Sequence, residues 1–277
     1  MSIFYYYCKM ETFKSMLTSK TLWLTDLTKS NDSEEVIRAY QSLWGRIKES
    51  LKRTDIDKDV LRSQFDLLES TFKLQSIVDV PFGCCFCSEN DLVQQWKEYG
   101  ENGAGVAAGF DLECIEGLKR QYPITSSDIT HSIGFESVIY DSAQVENELA
   151  QICYLALKKY GYHAWYQAIL PTFKHYAGFI KNPTFKDEKE TRIVYYPSKF
   201  FENSMPQLSG LETNIVPHYC LSWDCEKTSA IRSITIGYNN PSSIDEIKKL
   251  LSAANIDDNV IICHSQCSYR DRQHTEG

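Results

Sequence analysis

The stretch Phe185–Tyr196, F-K-D-E-K-E-T-R-I-V-Y-Y, decides how the chain is read. It opens as a dense charge cluster and closes on Ile193, Val194, Tyr195 and Tyr196, residue types that suit a pleated strand. Glu188 and Glu190 are two apart, so a strand that begins by Glu188 points both carboxylates to one face. A carboxylate pair at a strand mouth must be solvated, ion-paired or used. Lys189 and Arg192 are the nearest counter-charges in sequence. Taken alone, the stretch reads as a solvated strand entry laced with salt bridges.

Working outward toward the N-terminus, Ile3–Cys8 is a short aromatic strand, and Met10, Phe13, Met16 and Leu17 recur at helical spacing. Leu22–Thr25 is a second strand. Asn31-Asp32-Ser33 forms a turn, with Asp32 and Glu35 at capping-box spacing. The next helix gathers Val36, Ile37, Tyr40, Leu43, Trp44, Ile47 and Leu51 on one face, and another is expected over Asp57–Leu74. Val80–Cys87 is a strand, and Asp91–Tyr99 a short helix capped by Asp91 with Gln94 three residues on. Ala104–Phe110, A-G-V-A-A-G-F, is a buried strand whose glycines allow close approach of a backbone or a ligand. Asp111–Gln121 is expected as a helix and Ile133–Tyr140 as a strand. Two longer helices follow, Ser142–Tyr160 and His163–Ile180, the second interrupted at Pro171. Beyond the opening stretch, Pro217–Ser222, Ile231–Gly237 and Val260–Cys263 are strands, with a helix start at Pro241-Ser242-Ser243. Strands at the start, middle and end, separated by helical blocks, predict one α+β domain over residues 1–277. The helices at Ser33–Leu74 and Ser142–Ile180 read as insertions between sheet-forming pieces.

Composition bounds the function. Of 277 residues, 43% are hydrophobic and 24% charged, ordinary for a globular chain. With 17 Tyr, 13 Phe and 5 Trp, its core and clefts should be rich in rings. A formal net charge of −8 argues against a broad nucleic-acid-binding surface but leaves room for a local groove. No apolar stretch is long enough to span a bilayer and no leader pattern opens the chain, so a soluble cytoplasmic protein with no membrane partner is expected. The 10 Cys fit a reducing compartment. Cys220, Cys225, Cys263 and Cys267, with His218 and His264, lack paired C-x-x-C spacing, and no metal site is assigned.

Three blocks in order carry a family resemblance. The first is F-Y-Y-Y-C-K-M-E-T-F-K-S-M-L followed by L-W-L-T-D-L-T-K-S-N-D-S-E-E. The second is C-F-C-S-E-N-D-L-V-Q-Q-W-K-E-Y-G-E-N-G-A-G-V-A-A-G-F-D, and the third K-N-P-T-F-K-D-E-K-E-T-R-I-V. Together they resemble the DUF2971 family, and the layout is similar to an ADP-ribosyltransferase fold. The resemblance implies a split mixed β-sheet core with inserted helical segments. It also implies NAD as substrate and transfer of ADP-ribose to a macromolecular acceptor. Nucleic acid, RNA or DNA, is favoured slightly over protein. A bacterial toxin or phage-defence effector of this kind implies a neutralising antitoxin. Glu190 takes the catalytic position, and Glu188 is placed to position the acceptor. Tyr6 stands where such relatives often have His, and Thr25 ends the second strand. Tyr6, Tyr7, Trp23 and Tyr99 are candidates for the aromatic wall of the NAD site, Asn31, Ser88 and Trp96 for ordering the cleft, and Arg192 for pairing with a phosphate.

Two other readings remain. One is a non-catalytic module that binds a nucleotide or a partner protein through a degenerate ADP-ribosyltransferase fold. The other is a cysteine hydrolase or metal protein built on Cys87 with His131, His163 or His218, although no local context activates that thiol.

Overall fold

The computed structural model describes residues 2–29, 35–52, 58–59, 62, 66–67, 69–70, 80–115, 131–197, 205–209, 215–224, 229–256 and 259–268, without the side chains at 35, 131–132 and 162–174. Asn31, the Asp32–Glu35 capping box and most of the expected Asp57–Leu74 helix lie outside them.

The described residues form an α+β arrangement on one mixed sheet of ten strands. The strands are β1 (Phe4–Cys8), β2 (Thr21–Asp26), β3 (Phe82–Cys87), β4 (Val106–Phe110), β5 (His131–Ser137), β6 (Glu190–Pro197), β7 (Gln207–Ser209), β8 (Val216–Ser222), β9 (Ile231–Ile236) and β10 (Ile261–His264). Their order along the main path is β10-β9-β4-β1-β3-β2-β8-β7, with β5 and β6 branching from β3. Among the described strand pairs, β9–β10 alone is parallel. The helices are α1 (Met10–Ser19), α2 (Glu35–Lys52), α3 (Val93–Glu98), α4 (Ala143–Ala177) and α5 (Ile244–Ala253).

The sheet forks at β3. One edge of β3 is paired along its length with β6, from Phe82↔Tyr195 to Cys87↔Glu190. The other edge is shared: β2 meets it at Phe82 and Gly83, and β1 meets it at Cys87. Between those contacts β1 and β2 diverge, leaving a slot beside Cys84–Phe86.

Alternation sorts the side chains. Phe4, Cys8, Leu22, Leu24, Cys84, Phe86, Val106, Ile193 and Ile234 point to one face and pack with Phe13, Leu17, Ile247 and Leu251 from α1 and α5. Helices α2 and α4 bury a second cluster, including Leu43, Ile47, Leu149 and Cys153, as the apolar spacing of α2 predicts. A capping box at Ser243 and Glu246 starts α5.

Several boundaries differ from expectation. The long α4 segment breaks at Gly161, whose φ of 75° is left-handed, and continues through Pro171 rather than stopping there. Asp91 does not cap α3. Its carboxylate accepts from Trp96 Nε1 at 2.7 Å, Ser265 Oγ at 2.5 Å and the Gln266 amide at 2.7 Å, and the N-cap position falls to Leu92. Of the helix expected over Asp111–Gln121, the described part carries the short 3-10 turn Leu112–Cys114, and the part after Ile115 lies outside the described residues. In A-G-V-A-A-G-F, a Cβ at Gly105 would strike the Cys8 carbonyl, so close approach there is by backbone.

Candidate functional site

The opening stretch folds in three steps. After α4, the backbone at Phe179–Lys181 is held to Ile139: the Ile139 amide donates to Phe179 O at 2.8 Å and the Lys181 amide to Ile139 O at 3.1 Å. Asn182 then accepts from the Thr184 amide at 3.0 Å and, with Pro183 after it, starts a 3-10 turn over Pro183–Glu188. Finally Lys189 adopts a left-handed conformation, φ 48° and ψ 47°, and reverses the chain into β6. The strand therefore begins at Glu190, not Glu188, and the two carboxylates meet by a turn instead of by strand alternation.

What they meet is Lys181. Its Nζ lies 2.5 Å from Glu188 Oε2 and 2.9 Å from Glu190 Oε2. The other oxygen of Glu190, Oε1, accepts from Arg192 Nε at 2.6 Å, and Arg192 Nη1 donates to the Gly178 carbonyl at 3.0 Å. These four charged residues are between 1% and 5% exposed, so the solvated strand entry is overturned. Lys189, expected as a counter-charge, turns outward to Glu89 at 3.1 Å, with both side chains about half exposed. Around the quartet, Tyr140 OH accepts from the Glu190 amide at 3.0 Å and Gln95 Nε2 donates to the Glu188 carbonyl at 3.3 Å. Phe185 lies under the Lys181 ammonium at 5.0 Å.

The quartet is electrically neutral, and that sets its chemistry. Burial pushes the Glu190 carboxyl up, but Arg192 and Lys181, with hydrogen bonds from Arg192 and the Cys85 thiol, hold it at about 2. Lys181 is held above the ordinary lysine range: burial lowers it, and Glu190 and Glu188 outweigh that. Glu190 is thus a fixed anion and a poor proton acceptor, suited to electrostatic work and not to general-base catalysis.

The quartet borders a cavity of about 850 Å³ that enters the fork in the sheet. Tyr6, Tyr7, Thr25, Tyr99, Glu188, Glu190 and Arg192, all expected at the site, line it. Alternation sets Tyr6 on the opposite sheet face from Glu190, its ring 5.8 Å from Phe86, and the slot lets both reach one space. Tyr7 donates to the Glu89 carbonyl at 2.8 Å and accepts from the Leu92 amide at 2.9 Å. Burial raises the phenols of Tyr6, Tyr7 and Tyr99, so all three act as neutral hydrogen-bonding groups. Cys85 opens into the cavity beside Glu190, and burial followed by the Glu190 charge pushes its thiol up, keeping it protonated.

Two expected residues stand elsewhere. Trp96 is fully buried against Tyr7, ring centroids 4.7 Å apart, with its indole N–H taken by Asp91; it is scaffold because its large ring fills the space between α3 and the sheet. Ser88 is exposed outside the cavity lining, and its amide donates to Lys189 O at 3.0 Å, bracing the turn that delivers Glu190. Cys87 is buried, and that burial pushes its thiol up to about 11, which keeps it protonated. His218 stacks on Trp23, and the side chains of His131 and His163 lie outside the described residues. Among the described residues no group of three or more His, Cys, Asp or Glu is placed to hold a metal ion, and no helix is long and apolar enough to cross a membrane.

Sequence reasoning missed Lys181 and Gln95. Lys181 begins the third motif block, and the signal was a lysine just before an Asn-Pro turn that folds back on Glu-x-Glu. No curated protein and no solved structure gives a match to the chain. A family profile does match, over residues 95–193, a span that runs from Gln95 through Tyr99 and Lys181 to Glu188, Glu190 and Arg192. Over that span the chain is similar to the family described as "Protein of unknown function (DUF2971)".

Proposed function

We propose that the cavity binds NAD and that the chain is an ADP-ribosyltransferase-like enzyme acting on a macromolecular acceptor, nucleic acid in preference to protein. The observation that carries this reading is the meeting of Tyr6 from β1, Thr25 from β2 and Glu190 from β6 at one cavity, together with Tyr99, Glu188 and Arg192. Its volume lies within the range of small-molecule and cofactor sites, about 300–1,000 Å³. In the reaction, the bond between ribose C1′ and the nicotinamide nitrogen breaks and nicotinamide leaves with the electron pair. An acceptor oxygen or nitrogen then bonds to C1′ and gives up its proton. The transient positive charge on the ribose calls for a nearby fixed anion, and a carboxylate held at about 2 meets that need. Glu190 takes this role by exchanging part of its pairing with Lys181 or Arg192 for the ribose 2′-hydroxyl. Arg192 and Lys181, relieved in the same exchange, are cations of the kind that accept a diphosphate. A toxin or phage-defence role, with an antitoxin as partner, belongs to the same proposal.

One observation favours a second reading. Both oxygens of Glu190 are occupied by buried cations, which suits a module that binds a nucleotide without turning it over. The test is incubation of the protein with labelled NAD and total RNA, DNA or lysate. Nicotinamide release and label transfer, both lost in Glu190→Gln, are expected. NAD binding by calorimetry without release would select the binding module. Neither release nor transfer, with Glu190→Gln identical to the parent, would overturn the enzyme.

A further inference from the structure

Trp23 is placed unlike the other described tryptophans. Trp96 and Trp223 are fully buried and Trp44 nearly so, whereas Trp23 is 42% exposed. Strand alternation explains its direction: Leu22 and Leu24 enter the apolar core, and Trp23 between them points the other way, toward the quartet's side of the sheet. Exposure of so large a ring leaves apolar area in water, which works against stability.

The ring is nevertheless held in place. His218, on β8, lies against it with centroids 3.9 Å apart and planes 18° from parallel. His218 is itself only 1% exposed, and its Nδ1 lies 3.0 Å from the Val216 carbonyl, so the lower ring of the stack is anchored to the backbone. Most aromatic pairs adopt edge-to-face or strongly offset geometry. A near-parallel pair, one ring buried and the other partly exposed, offers a flat layer for a third ring. Trp23 also lines the same cavity as Glu190 and Arg192, alongside the hydroxyls of Thr12, Ser15 and Ser19 from α1.

We infer that the Trp23–His218 pair is a stacking platform for a purine ring. Large fused bases gain most from an indole face, and base stacking on aromatic side chains needs no broad positive surface. That agrees with a chain whose net charge is −8. The inference goes beyond the NAD reading, because a purine on a free nucleotide and one on a single strand satisfy it equally.

The test uses the full chain, with AMP and a short oligo(A) as the two probes and CMP as the comparison. Binding is followed by calorimetry and by tryptophan fluorescence, which a base stacked on Trp23 should quench. AMP or oligo(A) should bind more tightly than CMP or oligo(C). Trp23→Ala should weaken that binding by about 5- to 150-fold, the span of stacking contributions for single bases. Trp23→Phe, which keeps a ring over His218, should retain most of it, and an unchanged unfolding midpoint in both variants separates stacking from folding. AMP binding alone assigns the platform to a free nucleotide, and tighter, salt-sensitive oligo(A) binding assigns it to a strand. Trp23-dependent AMP binding without nicotinamide release from NAD would sink the enzyme reading and leave the platform standing. Affinity equal in Trp23→Ala and the parent, or no binding of either purine probe, would overturn the platform.

Discussion

On one face of the β3–β6 ribbon, Cys84, Phe86 and Ile193 enter the main apolar core; on the other, Cys85, Glu190 and Arg192 meet Lys181 and the cavity. Glu190 and Arg192 are as buried as the apolar residues opposite them, yet the energetics of the two faces differ. The apolar face is stabilised by area removed from water, about 25 cal/mol per Å². The charged face gives up the hydration of four ions, a cost of several kcal/mol each that their mutual attraction roughly offsets. The first face accounts for the fold. The second adds little net stability. Charge deletion and pH each test that contrast.

The largest effect should come from Lys181→Ala. It removes the cation that bridges the buried carboxylates of Glu188 and Glu190, and a broken buried ion pair costs about 3–5 kcal/mol. Urea unfolding of the variant and of the parent would measure it. Adding Glu188→Gln restores neutrality and should recover part of the loss. A cost under about 1 kcal/mol would mean that the quartet is hydrated in solution, and the contrast between the faces would disappear.

Acid should separate the faces next. The Glu190 carboxyl is depressed from 4.5 to about 2 in the folded chain. A depressed acid contributes its stability fully above its unfolded value and loses it as pH falls through the folded one. Stability should therefore drop between pH 4.5 and 2, by about 3 kcal/mol if the whole shift is realised. In Glu190→Gln the slope in this window should flatten, whereas Phe86→Leu on the apolar face should lower stability by the same amount at every pH. Parallel slopes for Glu190→Gln and the parent would assign the acid sensitivity to other carboxylates.

How much of this was legible in the sequence follows from the range of each interaction. Strands β1, β3, β4 and β9 and the apolar face of α2 were readable, because alternation and helical spacing are local patterns that burial enforces. The meeting of Tyr6, Thr25 and Glu190 at one cavity came from a resemblance; alternation alone would have put Tyr6 on the wrong face, and only the fork at β3 reconciles the two. Of the two counter-charges expected, Arg192 does pair with Glu190, and Lys189 was misassigned for a physical reason. Sequence proximity favours Lys189, but a residue in left-handed conformation between two inward carboxylates points away from both, and Lys181 returns through a turn that spacing rules do not describe. Asp91 and Trp96 failed together: a cap and a cleft ring were expected, and each found a stronger tertiary partner in the other. Trp23 was named only as one aromatic among four, since nothing local marks His218 as its neighbour.

Lys189 tests the smallest step, the backbone reversal that brings the carboxylates of Glu188 and Glu190 to a single lysine. A left-handed residue other than glycine costs about 1–2 kcal/mol, more for a β-branched side chain crowding its own carbonyl. Lys189→Gly relieves that strain and adds freedom to the unfolded chain, so the two should nearly cancel, within about 0.5 kcal/mol of the parent. Lys189→Val keeps the chain length and adds the crowding, and should lose about 1–2 kcal/mol. Both variants also lose the half-exposed pair with Glu89, worth at most about 1 kcal/mol, and Glu89→Gln measures that part separately. After this correction, a gap between the glycine and valine variants in urea unfolding isolates the conformational cost. No gap would mean that the left-handed turn is not required, and that Glu188 and Glu190 are brought to Lys181 by the attraction of the charges themselves.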